Sequence, residues 1–193
     1  MKATILTAIR ALLVLTCVTG LLYPLLVTGL AQAVFPVQAN GSLLRDGNTP
    51  VGSSLVGQAF SAERYLWSRP SATAPFAYNA AASTGSNLGP SNPALAAAVK
   101  QRIETLRHAD PGNRQVVPTD LVTASGSGLD PDISVAAAAF QVPRIARARG
   151  VAVGEVETAV RQCTHSPLLG MIGPAHVNVL CVNLALDHVS VRP

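Results

Sequence analysis

Between Arg10 and Arg45 the chain carries no charged residue, and from Ala11 to Phe35 it is almost wholly apolar. As a helix rising about 1.5 Å per residue, that run would be about 37 Å long, enough to cross the ~30 Å hydrocarbon core of a bilayer with some tilt. Lys2 and Arg10 stand before the run, and the next cation is Arg45. The positive-inside tendency therefore keeps the N-terminus in the cytoplasm and places the remainder outside. A second reading stays open. Ala31-Gln32-Ala33 matches the small-residue site at which a signal peptide is cut, with Pro24 and Gly29 ahead of it. The apolar run up to that site exceeds the usual signal core of about 7–15 residues, which favours an uncleaved anchor. Cys17 falls in mid-run behind Thr16 and is no lipidation site.

The rest of the chain is ordinary in polarity. With 193 residues there is room for one domain and an appendage. Setting aside Lys2 and Arg10 from the 14 cations leaves 12 against 10 acids, a net charge of +2. That is too little to draw nucleic acid or an anionic surface. Cys163 and Cys181 could pair in an oxidising compartment. Alternatively Cys181, inside an apolar strand-like run, is simply a small buried hydrophobe.

Past the apolar run, residues 37–50 read as a polar linker. Val51–Ala59 and Arg64–Trp67 read as short strands, and Pro70–Pro93 as a long loop dense in Ser, Gly, Asn and Pro. Tyr65, Trp67, Phe76 and Tyr78 lie in or beside that loop, where they either cover the core or present a docking surface. Pro93–His108 is a helix: Leu95, Val99, Ile103 and Leu106 form one apolar stripe behind an Asn92 cap, and Pro93 suits the first helical position. Gln115–Thr123 is β-like. A second helix is expected from Asp130-Pro131 past Phe140, kinked or restarted at Pro143 and ended at Gly150. A third covers about Glu155–Cys163, and His176–Leu186, apolar on both faces, reads as a buried central strand. These elements are out of βαβ order and give an α+β fold. The whole is an α+β soluble domain anchored by one N-terminal transmembrane helix. Its parts are a cytoplasmic tip and span at 1–36, a linker at 37–50 and the exported domain at 51–193.

Most catalytic chemistry fails on residue type. The only lysines, Lys2 and Lys100, follow no phosphate-binding glycine loop, and no aspartyl-phosphate motif is present. His108, His165, His176 and His188 are scattered, without metal-ligand spacing. Gly126-Ser127-Gly128 lacks the spacing of a nucleophile elbow. Ala146, Gly150 and Val156 stand at helix-turn-helix offsets beside Arg144, Arg147 and Arg149. Export would keep them from DNA, so they read as packing geometry. One internal echo remains: TGSNLGPSNPALAAAV (Thr84–Val99) and SGSGLDPDISVAAAAF (Ser125–Phe140) share Gly-Ser, Leu-x-Pro and alanines. Loops of this kind ahead of a helix can hold an anion. Asp130 and Asp132 argue instead for helix capping in the second copy.

Several blocks, in order, resemble the C subunit of the bacterial Kdp potassium-transporting ATPase: YPLLVTG (Tyr23–Gly29), GSSLVGQAF (Gly52–Phe60), RPSA (Arg69–Ala72), GSNLGPSNPAL (Gly85–Leu95), DLVTASGSGLDPDIS (Asp120–Ser134), QVPRIARARGV (Gln141–Val151) and VNVLCVNLALD (Val177–Asp187). Gly173-Pro174-Ala175-His176 departs from the acid-Pro-Arg turn common there. The resemblance implies a non-catalytic accessory subunit of an ATP-driven complex for high-affinity potassium uptake. Its partners would be a channel-like potassium-translocating subunit, an ATP-hydrolysing subunit and a small peptide subunit. It implies an uncleaved helix in the cytoplasmic membrane with the domain outside, no cofactor of its own and no nucleic acid. Two roles come with it: assembly and stabilisation at the outer face, and a catalytic chaperone that promotes ATP binding by the ATPase subunit. If ATP is shared in that way, Ser125, Ser127 and Gln141 are the contacts to expect. The alternative is a binding protein or enzyme secreted after signal cleavage.

Overall fold

A computed structural model of the chain describes residues 2–167, 170–187 and 191–192, in two units that divide after Leu43. The first unit is helical. Helix α1 (Lys2–Cys17) passes through one π-helical turn (Val18–Leu22) into α2 (Tyr23–Val34), followed by the short α3 (Pro36–Ala39). Pro24 explains the wide turn. It has no N–H for the Gly20 carbonyl, and its ring would collide with that carbonyl in a regular helix. The Tyr23 amide instead reaches back five residues to the Val18 carbonyl, as a π-bulge does. Lys2–Val34 is thus one apolar helix of 33 residues with no residue buried in the chain itself. Thr7 and Thr19 return their hydroxyls to the Ala3 and Leu15 carbonyls, so these two donors are met within the helix itself.

The second unit has the expected helices plus two small antiparallel sheets. Strands β1 (Leu43–Asp46) and β2 (Thr49–Ser53) form a hairpin through Gly47-Asn48, inside the stretch expected as linker, and β6 (Val191–Arg192) pairs on the other side of β1. The other sheet runs in the order β3 (Asp132–Ser134), β5 (His176–Asn178), β4 (Thr164–His165). The core lies where Ile133 and Val177 of that sheet meet α5 (Val135–Arg149), α6 (Val153–Gln162) and α7 (Val179–Leu186). Helix α4 (Pro93–Ala109) adds Leu106 to this core, with Val99 and Ile103 packed against it, and the Asn92 side chain caps the Ala94 amide.

Several sequence expectations change. His176–Leu186 is not one strand: after Asn178 it becomes α7. An all-apolar run cannot by itself distinguish a buried strand from a buried helix. The switch is made by the Asn178 side chain, which caps the Cys181 amide and is itself held by the Ser54 carbonyl and Asp132. The helix expected from Asp130-Pro131 begins only at Val135. Asp130 and Asp132 do not cap it; Ser134 does, accepting from the Ala137 amide while Asp120 fixes Ser134 by two hydrogen bonds. Pro143 does not restart the helix: it lies inside α5, which runs on as one element to the left-handed Gly150. Arg64–Trp67 and Gln115–Thr123 form no strand; the latter contains one 3-10 turn at Thr119–Leu121. Cys163 and Cys181 are joined as a disulfide, bridging the end of α6 to α7.

Candidate functional site

The backbone at Leu66 and Trp67 is hydrogen-bonded by side chains in place of a neighbouring strand. The Leu66 amide donates to Asn183 Oδ1 at 2.8 Å, and Asn183 Nδ2 donates back to the Leu66 carbonyl at 3.0 Å. One residue on, the Trp67 amide donates to Gln141 Oε1 at 2.9 Å, and Gln141 Nε2 returns to the Trp67 carbonyl at 3.1 Å. Two amides, one from α7 and one from α5, thus reproduce the reciprocal bonds of a β-ladder in a buried place. Arg144, one turn beyond Gln141, donates to Gln141 Oε1 and to the carbonyls of Glu63 and Tyr65. Its guanidinium also lies over the Trp67 ring at 4.2 Å. Burial lowers its pKa to about 10, so it stays charged at neutral pH.

Beside this clamp, Asp187 draws together Arg149, Arg64 and the Tyr65 hydroxyl. Burial alone would raise its pKa. Hydrogen bonds from Arg149 and Tyr65 and the two nearby guanidinium charges outweigh that and hold it below the usual carboxylate range. The Tyr65 hydroxyl is pushed up in turn, chiefly by its bond to Asp187.

The echoed loops lie against each other. The Thr84 amide and the Ser83 hydroxyl both donate to the Ser127 carbonyl. A Cβ on Gly85 would stand 3.0 Å from the Gly126 carbonyl oxygen. Gly128 has a φ of +68°, and a Cβ there would meet the Thr84 carbonyl at 2.7 Å. Both glycines permit backbone to close on backbone.

Of the three residues expected at a nucleotide, Ser125 and Ser127 share the turn ahead of β3. Ser125 is buried and its hydroxyl accepts from the Gly128 amide; Ser127 is exposed and accepts from the Leu129 amide. Gln141 sits on α5 with its amide spent on Trp67, Ala137 and Arg144. Among the described residues no hydrogen bond links Gln141 to either serine. Sequence reasoning missed Arg144, Asn178 and Asn183. The only signal was a polar residue where an apolar stripe should continue, as with Gln141 and Arg144 among Ala137, Ala138 and Ile145 on α5.

The helix-turn-helix offsets are realised as packing: Ala146 and Val156 are buried, and the Val151 amide reaches the Ala146 carbonyl across Gly150. His165 and His176 face each other across β4 and β5 with stacked rings. Among the described residues no group of three or more His, Cys, Asp or Glu side chains could hold a metal; His188 lies outside them.

Fold and site together define a class: a disulfide-bridged α+β domain, its buried polar groups spent on holding loops, carried behind one helix long and apolar enough to cross a membrane. Comparison with known sequences narrows the class to one family. Residues 5–188 match the family model for the K+-transporting ATPase, c chain, and the chain belongs to that family. It is 62% identical over 173 residues to the potassium-transporting ATPase KdpC subunit of Variovorax paradoxus, covering 90% of each chain. The subunit of that name from Polaromonas naphthalenivorans is 59% identical, covering 97% of this chain and 95% of the relative. The one from Methylococcus capsulatus is 58% identical, with 93% and 95% covered. The family match begins inside the apolar helix, ahead of Ala31-Gln32-Ala33. The reading as a secreted, unrelated binding protein or enzyme finds no support in these matches.

Proposed function

We propose that this chain is a single-pass, non-catalytic accessory subunit of an ATP-driven potassium uptake complex. Its N-terminus lies in the cytoplasm and its domain outside, where it holds the complex together against the channel-like subunit. One observation carries the reading. The family match spans most of the helix and the domain, and the 33-residue helix is apolar enough to cross a membrane and has no buried residue. Such a surface is stable only against lipid or other apolar helices. Orientation is testable through the two lysines. Lys100 is exposed on α4, and Lys2 lies ahead of the apolar run. A membrane-impermeant amine reagent on intact spheroplasts should modify Lys100 and reach Lys2 only after permeabilisation; the reverse pattern refutes the topology.

A second reading is that the chain also promotes ATP binding by the ATP-hydrolysing subunit, as a catalytic chaperone. Support comes from the family resemblance and from the exposed hydroxyl of Ser127 on the paired Ser/Gly loops. Since Ser125 and Gln141 are already engaged, Ser127 is the contact to test first. Photolabelling of the assembled complex with an ATP analogue, in inverted and in right-side-out vesicles, tests it. Labelling of this chain in either supports contact, and an unlabelled chain beside a labelled ATPase subunit removes it.

A further inference from the structure

A groove of about 320 Å³ opens between the segment running from Gln58 to Ser71 and helix α4. That is within the range of roughly 300–1,000 Å³ usual for a binding pocket. Its apolar wall is Phe60, Trp67, Tyr78 and Leu121, and its charged wall is Arg69 and Arg102. No Asp or Glu lines it. The two arginines differ. Arg69 is paired with Asp130 at 3.0 Å, yet its Nε is buried and meets no acceptor. Arg102 donates to the Val122 carbonyl at 2.8 Å, and among the described residues it has no carboxylate partner. Burial lowers its pKa, the mark of a cation with less solvent than it needs and no counter-charge.

An aromatic wall facing an unmatched guanidinium selects an apolar side chain that carries a carboxylate close by. We propose that this groove receives an acid-flanked aromatic or aliphatic side chain from an extracytoplasmic segment of another subunit of the same complex. The proposal rests on the accessory-subunit reading above and names the chemistry by which that partner is held. Hydroxyls of Ser61 and Thr105 at the groove supply the polar edge.

Photocrosslinking in the assembled complex tests it. Benzoylphenylalanine in place of Thr105 should crosslink, in native membranes, to another subunit at a segment with Asp or Glu beside the contacted side chain. The yield should fall at least about tenfold with Arg102→Gln and be largely kept with Arg102→Lys, as for loss of one partner of a desolvated charge pair. Trp67 is the single tryptophan, so unchanged emission from the purified Arg102→Gln chain shows that the groove still forms. Crosslinks to lipid, crosslinks to a segment without a carboxylate, or no crosslink from a chain that still co-purifies with the complex each overturn the groove proposal and leave the accessory-subunit reading standing. Failure of the unmodified chain to co-purify overturns that reading itself.

Discussion

Gln141 and Asn183 show how much of this domain rests on single buried polar side chains. Each amide satisfies an N–H and a C=O that no strand reaches, and each is 2% exposed or less. Replacing Gln141 by Leu keeps the volume but orphans the Trp67 amide and carbonyl and one bond of Arg144. At about 1–3 kcal/mol for each buried group left unpaired, the loss should exceed about 2 kcal/mol. Urea unfolding followed by Trp67 emission measures it, and a change below about 0.5 kcal/mol would show that the clamp is not structural. Asp187 gives a pH signature. Its folded-state pKa lies below the unfolded value of about 3.9, so its contribution is complete above that pH and is lost as the pH falls through the folded value. Asp187→Asn should lower stability at neutral pH and flatten the acid limb of the stability curve below about pH 4. An unchanged acid limb would exclude this carboxylate as its source.

At the scale of elements, two joints of one design stand side by side. β3 turns into α5 and β5 turns into α7 with no loop between, each capped by the last strand residue, Ser134 or Asn178. The two strands pair, with Asp132 opposite Asn178 and Ser134 opposite His176. Losing the Ser134 cap costs about 1 kcal/mol. Asp120 acts through Ser134, so Ser134→Ala and Asp120→Ala should not add; the double variant should be little worse than the more damaging single one. Full additivity in thermal unfolding would separate the two residues. The bridge from α6 to α7 spans 18 residues of chain. Closing such a loop stabilises by about 3 kcal/mol through the unfolded ensemble, so Cys163→Ala with Cys181→Ala should unfold at correspondingly lower urea. A midpoint equal to that of the oxidised parent would rule out that contribution.

For the whole molecule, the division after Leu43 separates the apolar helical unit from the α+β unit that holds the buried core. Removing residues 2–35 takes away the only apolar helix of membrane-spanning length among the described residues. The truncated chain should leave the membrane fraction and fail to co-purify with the potassium-transporting complex. A stable, transporting assembly recovered with it would limit the helix to delivery rather than anchorage.

The apolar run, the α4 stripe behind Asn92, and the turn at Gly150 were legible from residue order, because each depends on neighbours within a few positions along the chain. The ordered blocks from Tyr23 to Asp187 were also enough to point to the family. Tertiary structure alone decided the rest. HVNVLCVNLAL divides into strand and helix because Asn178 finds Ser54 and Asp132, far off in sequence. The Ser/Gly echo, which as sequence suggested an anion cradle or two similar helix starts, is two loops shaped to lie on each other. Gln141 and Asn183 look misplaced on their helices until Trp67 and Leu66 arrive with unpaired backbone, and Arg144 until the Glu63 and Tyr65 carbonyls do. Local order sets which elements can form; partners for buried polar groups are set by where the chain returns, and no window of sequence contains them.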